Sequence, residues 1–336
     1  MIVLGIESSC DETSVSILKD NEILANLISS QGVHKKFGGV VPELSSRAHL
    51  QLIHPLVKTA MKESGIERSD IDLIAATAGP GLIGALLVGL TYAKGLAFSL
   101  KKPFVAVNHV EGHIYSGFLM DKKPQFPYLC LAVSGGNTLL LLVESDTKII
   151  KLGGTIDDAV GEAFDKVSKL LGLGYPGGPK IEEYAKKGSP TAIKFPISKT
   201  KNNLDFSFSG LKTAVLRHIQ KELSEREKLE LELNNIAASF QFTAIRSLTL
   251  NLEKAIEMYK VKCISIVGGV AANTLLRTEI VKIGEKHNLI TVIPKLEFCG
   301  DNAAMIAYRG KQLFLAGKTY DLNYTAYPNL VFEDFL

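Results

Sequence analysis

Apolar positions in the first third of the chain follow two patterns. Short runs rich in β-branched residues predict strands, and longer segments with an apolar residue every three or four positions predict helices. In chain order the predicted elements are strands at 2–8, 13–19 and 22–29, a helix at 42–65, a strand at 71–78, a helix at 82–100 and a strand at 104–108. Their order is βββαβαβ.

The rest of the chain repeats this order of elements without repeating the residues. Its predicted elements are strands at 128–135, 138–145 and 147–153, a helix at 157–171, a long helix at 229–259, a strand at 262–269, a helix from Ala271, a strand at 289–294 and a last helix from about Asn302. Two such lobes form the architecture of actin, hexokinase and the heat-shock-chaperone ATPases, in which a nucleotide lies in a cleft between RNase H-like lobes. We therefore predict an α/β fold with two duplicated lobes of this superfamily and a cleft between them.

The predicted domain boundaries follow this duplication. The first lobe covers 1–108 and is completed by the C-terminal helix, at about 302–336, while the second lobe covers 109–301. An irregular and helical insertion at about 173–228 interrupts the second lobe. Its first part is rich in Gly, Pro, Lys and Ser, and long loops in compact domains are usually functional or disordered. We therefore expect the insertion to take part in binding.

The composition mainly excludes certain classes of protein. The 336 residues are 46% hydrophobic and 22% charged, which suits two buried cores rather than a disordered chain. A net charge of +3 does not by itself indicate a nucleic-acid partner. Four separated cysteines and an amino terminus without a basic leader predict a cytoplasmic protein. The apolar segment 82–100 contains Lys94, which favours a core helix over a membrane span.

The segment His109-Val110-Glu111-Gly112-His113 is the first candidate for chemistry. Two imidazoles four residues apart share one face of a helix, with Cβ atoms ~5–6 Å apart, which suits metal chelation. Two solvated or capping histidines explain the spacing equally well. Glu111 lies about 200° around a helix from His109, so it cannot be the base of an HExxH-type peptidase.

A third metal ligand would come from another part of the chain. Asp301 stands where a loop enters the last predicted helix, and it is a candidate either for this ligand or for the cap of that helix. Two histidines and one carboxylate leave coordination positions open, as a catalytic iron or zinc needs.

Three strand ends carry small residues, at 6–14, 132–138 and 267–273, where backbone N–H groups can approach an anion. Tight turns explain most single Gly pairs, but equivalent positions in two lobes favour a nucleotide site. Asp11 and Glu12, in the first of these loops, either position a metal or water or form a solvated turn.

Two further groups of residues are open to two interpretations. Asp165, on the same predicted helix face as Asp158, either binds a ribose or substrate hydroxyl or covers a polar surface. Basic residues bracket the aromatic segment 205–215, which is typical either of RNA binding or of a solvated face with Phe206 and Phe208 in the core. Taken alone, this pattern favours the solvated face. The basic residues are Lys194, Lys199, Lys201, Lys212 and Arg217.

Ten ordered segments resemble the universal family of tRNA N6-adenosine threonylcarbamoyltransferases, formerly called O-sialoglycoprotein endopeptidases. They are GIESSCDETS, GGVVPELSSRAH, AGPGLIGALLVG, NHVEGH, VSGGNT, DDAVGEAFDKV, GYPGGP, DFSFSGLKTA, GGVAAN and GDNAAMIA, and they span nearly the whole chain. Their agreement in order is more specific than any single motif. The residues of the segments GYPGGP and DDAVGEAFDKV are closer to those of the bacterial members than to those of the archaeal members.

The resemblance implies a reaction. The threonylcarbamoyl group of threonylcarbamoyl-adenylate passes to N6 of adenosine 37, in tRNAs reading codons that begin with A, and AMP leaves. It also implies a metal held by His109, His113 and Asp301, for which iron(II) is the first candidate and zinc the second. The partners implied are tRNA, a shorter inactive paralogue of the same fold and a small P-loop ATPase, with no membrane.

The resemblance also implies which residues contact the substrate. Those for the adenylate are Ala132, Val133, Ser134, Gly135, Gly136, Asp165, Gly178, Glu182 and Asn273. Asp11 and Glu12 are the catalytic candidates. Two positions depart from the family pattern, since Asn137 stands where many bacterial members have His and Glu182 stands where Asp is common.

Three alternative functions are weighed against this one. A metallopeptidase acting on glycoproteins lacks its base, because Glu111 is misplaced. A sugar kinase or chaperone-like ATPase of the same fold leaves the metal histidines unexplained. A nucleotide-binding scaffold without activity does not need the intact set of His109, His113 and Asp301.

Overall fold

The computed structural model describes residues 1–222 and 226–330, which fall into two compact units. Unit 1 contains residues 1–123 and the chain from Pro294 onward, and unit 2 contains Pro124–Ile293. Residues 223–225 of the predicted insertion and 331–336 of the predicted C-terminal helix lie outside the described residues.

Ten strands and nine α-helices are described. The strands are β1 (Ile2–Glu7), β2 (Glu12–Lys19), β3 (Glu22–Ser30), β4 (Leu73–Gly79), β5 (Phe104–Asn108), β6 (Tyr128–Val133), β7 (Thr138–Ser145), β8 (Lys148–Gly154), β9 (Cys263–Val267) and β10 (Ile290–Val292). The helices are α1 (Pro42–Ser64), α2 (Ile83–Leu100), α3 (His109–Ser116), α4 (Val160–Leu170), α5 (Gly177–Ala185), α6 (Ser209–Glu222), α7 (Arg226–Met258), α8 (Thr274–Lys286) and α9 (Ala303–Leu315). Each helix or strand predicted from the sequence has a counterpart among them.

Each unit is built on a five-stranded mixed sheet, and the two sheets have the same topology. The strand order is β3-β2-β1-β4-β5 in unit 1 and β8-β7-β6-β9-β10 in unit 2. In both, the first three strands form an antiparallel meander and the last two run parallel to the first. The predicted duplication of an α/β architecture is therefore confirmed.

The two faces of β1 are covered in different ways. Leu4 and Ile6 are fully buried in a core that includes residues of α1 and α2. Gly5 faces the other way, where a Cβ atom would lie 2.5 Å from the carbonyl oxygen of Ala303. Gly310 makes a similar approach to β4, since its Cβ would lie 2.4 Å from the Cβ of Ala75. Small residues thus let α9 pack directly on the sheet.

The unit boundaries differ from the predicted ones because α3 belongs with unit 1. Arg309 Nε of α9 donates to Glu111 Oε2 of α3 at 2.6 Å, and both side chains are buried. The Arg309 guanidinium also lies 4.2 Å from the centre of the Tyr115 ring. The boundaries consequently fall after Lys123 and Ile293.

Two predicted segments have a different extent in the structure. The last helix is shorter than 302–336, since α9 ends at Leu315 before Gly317, which has a φ of +81°. The first part of the insertion is less irregular than predicted, because it contains α5 and the start of α6.

One described helix, α2, is long and apolar enough to cross a membrane by length and composition. Leu86, Leu90 and Ala93 of this helix lie in the core of unit 1 with the strands of its sheet. Such packing is that of a core helix.

We predict that Arg309→Leu destabilises the protein strongly. The Glu111 carboxylate would remain buried without its cation, and breaking one side of such a pair costs about 3–5 kcal/mol. Urea unfolding of the metal-free protein measures the loss. The double variant Glu111→Leu/Arg309→Leu removes both charges and should recover most of the stability. An equal loss in both variants would assign the effect to packing on Tyr115 instead.

Candidate functional site

The two histidines of the HVEGH segment lie at the carboxyl end of β5, where α3 begins. Asn108 caps this helix, because its Oδ1 accepts the N–H groups of Val110 and Glu111 at 2.8 and 3.2 Å. The first two turns of α3 then place the His109 and His113 rings edge to face, with their centres 4.7 Å apart. Both rings are buried, and their common face is the one predicted for chelation.

Asp301 completes this cluster. Its neighbour Asn302 caps α9 by accepting the Met305 N–H at 3.1 Å, so the predicted alternative of a capping role for Asp301 does not hold. Asp301 Oδ1 instead lies 3.0 Å from His113 Nε2 and 3.5 Å from His109 Nε2.

The arrangement fits a metal ion. One ligand atom from each of the three residues lies within 4.8 Å of the others. Two atoms bound to one zinc or iron at ~2.0–2.2 Å are no more than ~4.4 Å apart. Both His–Asp distances satisfy this limit, and the 4.8 Å bound on the whole set exceeds it by ~0.4 Å, which a small shift of one side chain covers. Both rings turn the Nε2 atom toward Asp301, so one nitrogen of each imidazole and one carboxylate oxygen converge on the same place.

Glu7 also belongs to this cluster, although the sequence analysis did not include it. This fully buried carboxylate ends β1, accepts the Ser9 N–H and the Thr77 hydroxyl at 2.5 Å each, and lies 3.1 Å from His109 Nδ1. An ionised carboxylate can only accept, so Nδ1 is the donor and the lone pair of a neutral His109 is on Nε2. Glu7 therefore fixes the tautomer that a metal ligand needs. A charged residue ending an otherwise apolar strand is the signal that indicates it.

The charges of this cluster are strongly coupled. Burial lowers the pKa of His109, but the charges of Asp301 and Glu7 outweigh it and raise this pKa to about 9. Burial raises the pKa of Asp301, whereas His109 and His113 hold it below its ordinary range. The pKa of Glu7 is lowered in the same way, against its burial, by His109. The site therefore favours positive charge. In the metal-free protein that charge is the proton on His109.

The two catalytic candidates lie beside this cluster. Asp11 is in the turn between β1 and β2, and its carbonyl oxygen accepts the Gln31 N–H at 3.1 Å. Glu12 begins β2, and its Oε1 accepts the Ser30 hydroxyl at 3.4 Å. Burial, followed by the charges of Asp301 and Asp11, raises the pKa of Glu12 to about 9. Glu12 thus holds a proton at neutral pH.

Unit 2 contains a cavity of about 270 Å³, close to the lower end of the ~300–1,000 Å³ usual for small-molecule sites. Five of the nine predicted contact residues line it: Gly135, Asp165, Gly178, Glu182 and Asn273. The other four predicted residues, Ala132, Val133, Ser134 and Gly136, are not among its lining residues.

Three helices point their amino termini at this cavity. Gly161 is in the first turn of α4, Gly178 is in the first turn of α5, and Asn273 caps α8 by accepting the Leu276 N–H at 3.1 Å. The amino terminus of a helix carries partial positive charge and unpaired N–H groups. The cavity is therefore suited to a phosphate or another anion.

The predicted polar contacts also hold the cavity walls together. Asp165 Oδ1 of α4 accepts the Gly177 N–H of α5 at 2.6 Å, and Glu182 Oε1 of α5 accepts the Thr274 N–H of α8 at 3.1 Å. Asn273 Nδ2 donates to Gln241 Oε1 at 2.8 Å. The prediction that Asp165 and Asp158 share a helix face is wrong, because α4 begins only at Val160.

Phe206 and Phe208 lie in the core of unit 2. They are 1% and 0% exposed, so neither can stack on a nucleic-acid base. The interpretation that placed both in the core is confirmed, and the one that made them stacking platforms is wrong.

Comparison with known proteins gives consistent matches. The family model described as tRNA N6-adenosine threonylcarbamoyltransferase matches residues 22–308. A protein of that name from Thermosipho africanus (strain TCF52B) is 50% identical over 332 residues, which are 98% of this chain and 99% of the relative. Another, from Clostridium perfringens (strain SM101 / Type A), is 48% identical over 332 residues, 98% of this chain and 97% of the relative.

Two solved structures support the fold alone. HypF from T. kodakarensis is 15% identical, with a TM-score of 0.66 over 94% of this chain and 48% of that one. Component A of the (R)-2-hydroxyglutaryl-CoA dehydratase from Acidaminococcus fermentans is 15% identical, with a TM-score of 0.55 over 95% of this chain and 100% of that one.

We predict that Glu7→Gln weakens metal binding about 10- to 100-fold, as loss of a partner that orients a ligand usually does. Anaerobic titration of the metal-free protein with Fe²⁺ measures the dissociation constant. Ser9→Ala is the comparison variant, since it leaves Glu7 in place and removes the longer 3.2 Å contact with the same His109 nitrogen together with the hydrogen bond from Ser9 to Asp301, and it should have a smaller effect. A folded Glu7→Gln protein with unchanged affinity would show that Glu7 does not orient His109.

We predict opposite effects for two adjacent glycines of α5. A Cβ at Gly178 would meet no atom within 4 Å, whereas a Cβ at Gly177 would lie 2.5 Å from the carbonyl oxygen of Phe164. Gly178→Ala should therefore retain or slightly raise stability, by up to ~1 kcal/mol, and weaken binding of AMP at least tenfold by filling the cavity. Gly177→Ala should cost about 1–3 kcal/mol. Thermal unfolding and calorimetric titration with AMP separate the two, and equal AMP affinity of Gly178→Ala and the unaltered protein would exclude the cavity as the binding site.

Proposed function

The chain belongs to the tRNA N6-adenosine threonylcarbamoyltransferase family, and we propose that it transfers the threonylcarbamoyl group of threonylcarbamoyl-adenylate to N6 of adenosine 37. The tRNAs are those reading codons that begin with A. The observation that carries this proposal is the 50% identity to a protein of that name over 98% of the chain. In the reaction the N6 nitrogen forms a bond to the carbamoyl carbon, the bond from that carbon to the phosphate oxygen breaks, N6 loses a proton and AMP leaves.

His109, His113 and Asp301 would hold one metal ion. Two histidines and one carboxylate with open positions suit iron(II) or zinc, and we propose iron(II) on the resemblance of the sequence motifs to the family. When bound, such an ion polarises a carbonyl or phosphoryl oxygen as a Lewis acid. The residues around it prepare this role. Glu7 orients His109, and the Asn108 cap fixes the start of α3, so the ligand atoms are held before the ion arrives.

The adenylate would occupy the cavity of unit 2. The amino termini of α4, α5 and α8 stabilise its phosphate, and the negative charge on that phosphate grows as AMP leaves. Asp165 and Glu182 present carboxylates along the same wall, where a ribose hydroxyl can donate to them. The glycines at 135, 178 and 269 leave room for the nucleotide, because a Cβ at any of them would meet no protein atom within 4 Å.

Asp11 and Glu12 are the residues we propose for handling the N6 proton. At neutral pH Glu12 carries its own proton, because its pKa is raised to about 9. In that state it donates a hydrogen bond to a substrate oxygen, and it accepts the N6 proton only after its own has left. The negative charge of Asp301 contributes to this raised pKa, so a cation bound to Asp301 would lower the pKa of Glu12.

The metallopeptidase alternative is further weakened by the position of Glu111. Its side chain is fully buried and bound to Arg309, so it cannot activate a water molecule. The proteins we propose as partners are a shorter inactive paralogue of the same fold and a small P-loop ATPase, and we place the reaction in the cytoplasm. The resemblance of the sequence motifs supports these proposals.

The test is a reconstituted transfer reaction. The purified chain, its two partner proteins, threonylcarbamoyl-adenylate and an unmodified tRNA reading an A-starting codon should yield the modified nucleoside, identified by mass spectrometry. A tRNA reading codons that begin with another base is the control and should stay unmodified. His109→Ala should lose both the metal and the transfer. Robust ATP turnover without tRNA and no modified nucleoside would instead favour the ATPase or kinase alternative.

A further inference from the structure

Positive charge is concentrated in one part of unit 2. Residues 186–221 contain eight Lys or Arg and a single acidic residue, Asp205, which gives +7, whereas the whole chain carries +3. The other 300 residues therefore carry −4. A local excess of this size, unlike the mean charge, is what attracts a polyanion.

The only acid of this segment does not neutralise its cations. The Asp205 carboxylate turns toward β8, where its Oδ1 accepts the Gly154 N–H at 3.0 Å. The carbonyl oxygen of Asp205 also accepts the Asn251 amide at 2.8 Å. The charge of Asp205 is thus used to anchor the segment on the sheet.

Two stretches of the segment lie side by side. The ring of Phe195 contacts that of His218 in α6, with centres 6.0 Å apart, and Ser198 lies against Gly210 near the start of α6. Five basic side chains on these stretches are exposed or half-buried, and we call them the cationic ribbon. They are Lys194, Lys199, Lys201, Lys212 and Arg217.

The loop that carries Lys199 and Lys201 has a defined conformation although it contains no helix or strand. Thr200 Oγ1 donates to the carbonyl oxygen of Asn202 at 2.6 Å, and Asn202 Oδ1 accepts the Leu204 N–H at 3.2 Å. Lys254 Nζ of α7 donates to the carbonyl oxygen of Asn203 at 3.1 Å. Little conformational entropy remains to be lost when this loop binds a partner.

The cations of the ribbon form no ion pair with the side chains that the structure describes, which are those of residues 1–34, 36–221 and 232–330. Of these cations, Lys212 lies near enough to a carboxylate to help lower its pKa, that of Asp158. Several lysines elsewhere on unit 2 do form an ion pair. Examples are Lys148 with Glu144, Lys166 with Asp158, Lys282 with Glu279 and Lys286 with Glu253. The ribbon is therefore a surface whose charge stays available to a partner.

We propose that the cationic ribbon binds the phosphate backbone of the tRNA substrate, an inference that rests on the proposed function. The three phenylalanines of the surrounding segment, Phe195, Phe206 and Phe208, are all buried and cannot stack on bases. Contacts to phosphates fix the position of an RNA without reading its sequence. The ribbon thus supplies affinity and orientation, and recognition of the target adenosine lies elsewhere.

The experiment compares two triple variants that change the net charge equally. Lys199→Gln/Lys201→Gln/Arg217→Gln alters the ribbon, and Lys148→Gln/Lys282→Gln/Lys286→Gln removes three exposed, paired lysines of the same unit. Binding of unmodified tRNA to each purified chain is measured by fluorescence anisotropy over a series of salt concentrations. Calorimetric titration with AMP reports separately on the cavity of unit 2.

The ribbon variant should bind tRNA at least tenfold more weakly, and its slope of log K against log salt should fall by about 2–3, or 0.7–0.9 for each lost phosphate contact. Its KM for tRNA should rise at unchanged kcat, with unchanged AMP affinity. The control variant should behave like the unaltered chain. Equal affinities and slopes in all three proteins would overturn the proposal, as would ribbon-dependent binding to phosphatidylserine vesicles with tRNA binding unaffected. The binding measurement does not require transfer activity. A chain that binds tRNA through the ribbon but transfers no group would contradict the proposed function and still support the ribbon as the tRNA-binding surface.

Discussion

The close packing of α9 on the sheet of unit 1 is the constraint on which the metal cluster depends. Gly5 of β1 and Gly310 of α9 have no Cβ atom. A Cβ at either position would lie 2.4–2.5 Å from an atom of the facing helix or strand, which is too close. In this close packing the Ala303 N–H reaches the Ser14 hydroxyl at 2.8 Å, and Asp301, two residues earlier, meets the histidines of α3. Arg309 then ties α3 to the same helix through Glu111. One helix thereby sets both the carboxylate ligand and the orientation of the two imidazoles.

The two units have one sheet topology but opposite chemistry. In unit 1 the loop between the first two strands carries Asp11, and Glu7 and Asp301 add two more carboxylates, so the region binds positive charge. The corresponding loop in unit 2 is Ser134-Gly135-Gly136-Asn137, with no charged residue, and the nearby helix amino termini favour an anion. The same backbone thus provides surroundings suited to a cation in one copy and to an anion in the other.

Local patterns predicted the elements well because most of them depend on residues close in sequence. Alternation over β2 and the period of the apolar residues in α1 are visible without any partner. Roles that depend on distant contacts were not visible. Glu7 is defined by His109, 102 residues later, and whether Asp301 or Asn302 caps α9 is decided by the histidines that Asp301 faces. The helix α5 was hidden because it begins with two glycines, which are poor helix formers, and Asp165 stabilises its start from α4.

The order of the two units along the chain also means that they are completed at different times during translation. Unit 2 is one continuous stretch, whereas unit 1 joins its first 123 residues to the chain from Pro294 onward. His113 and Asp301 are 188 positions apart, so a nascent polypeptide exposes both imidazoles long before the ribosome has delivered the carboxylate between them. Unit 2 can therefore mature first during translation. A metal held by these three residues would therefore be loaded late in the biogenesis of this protein.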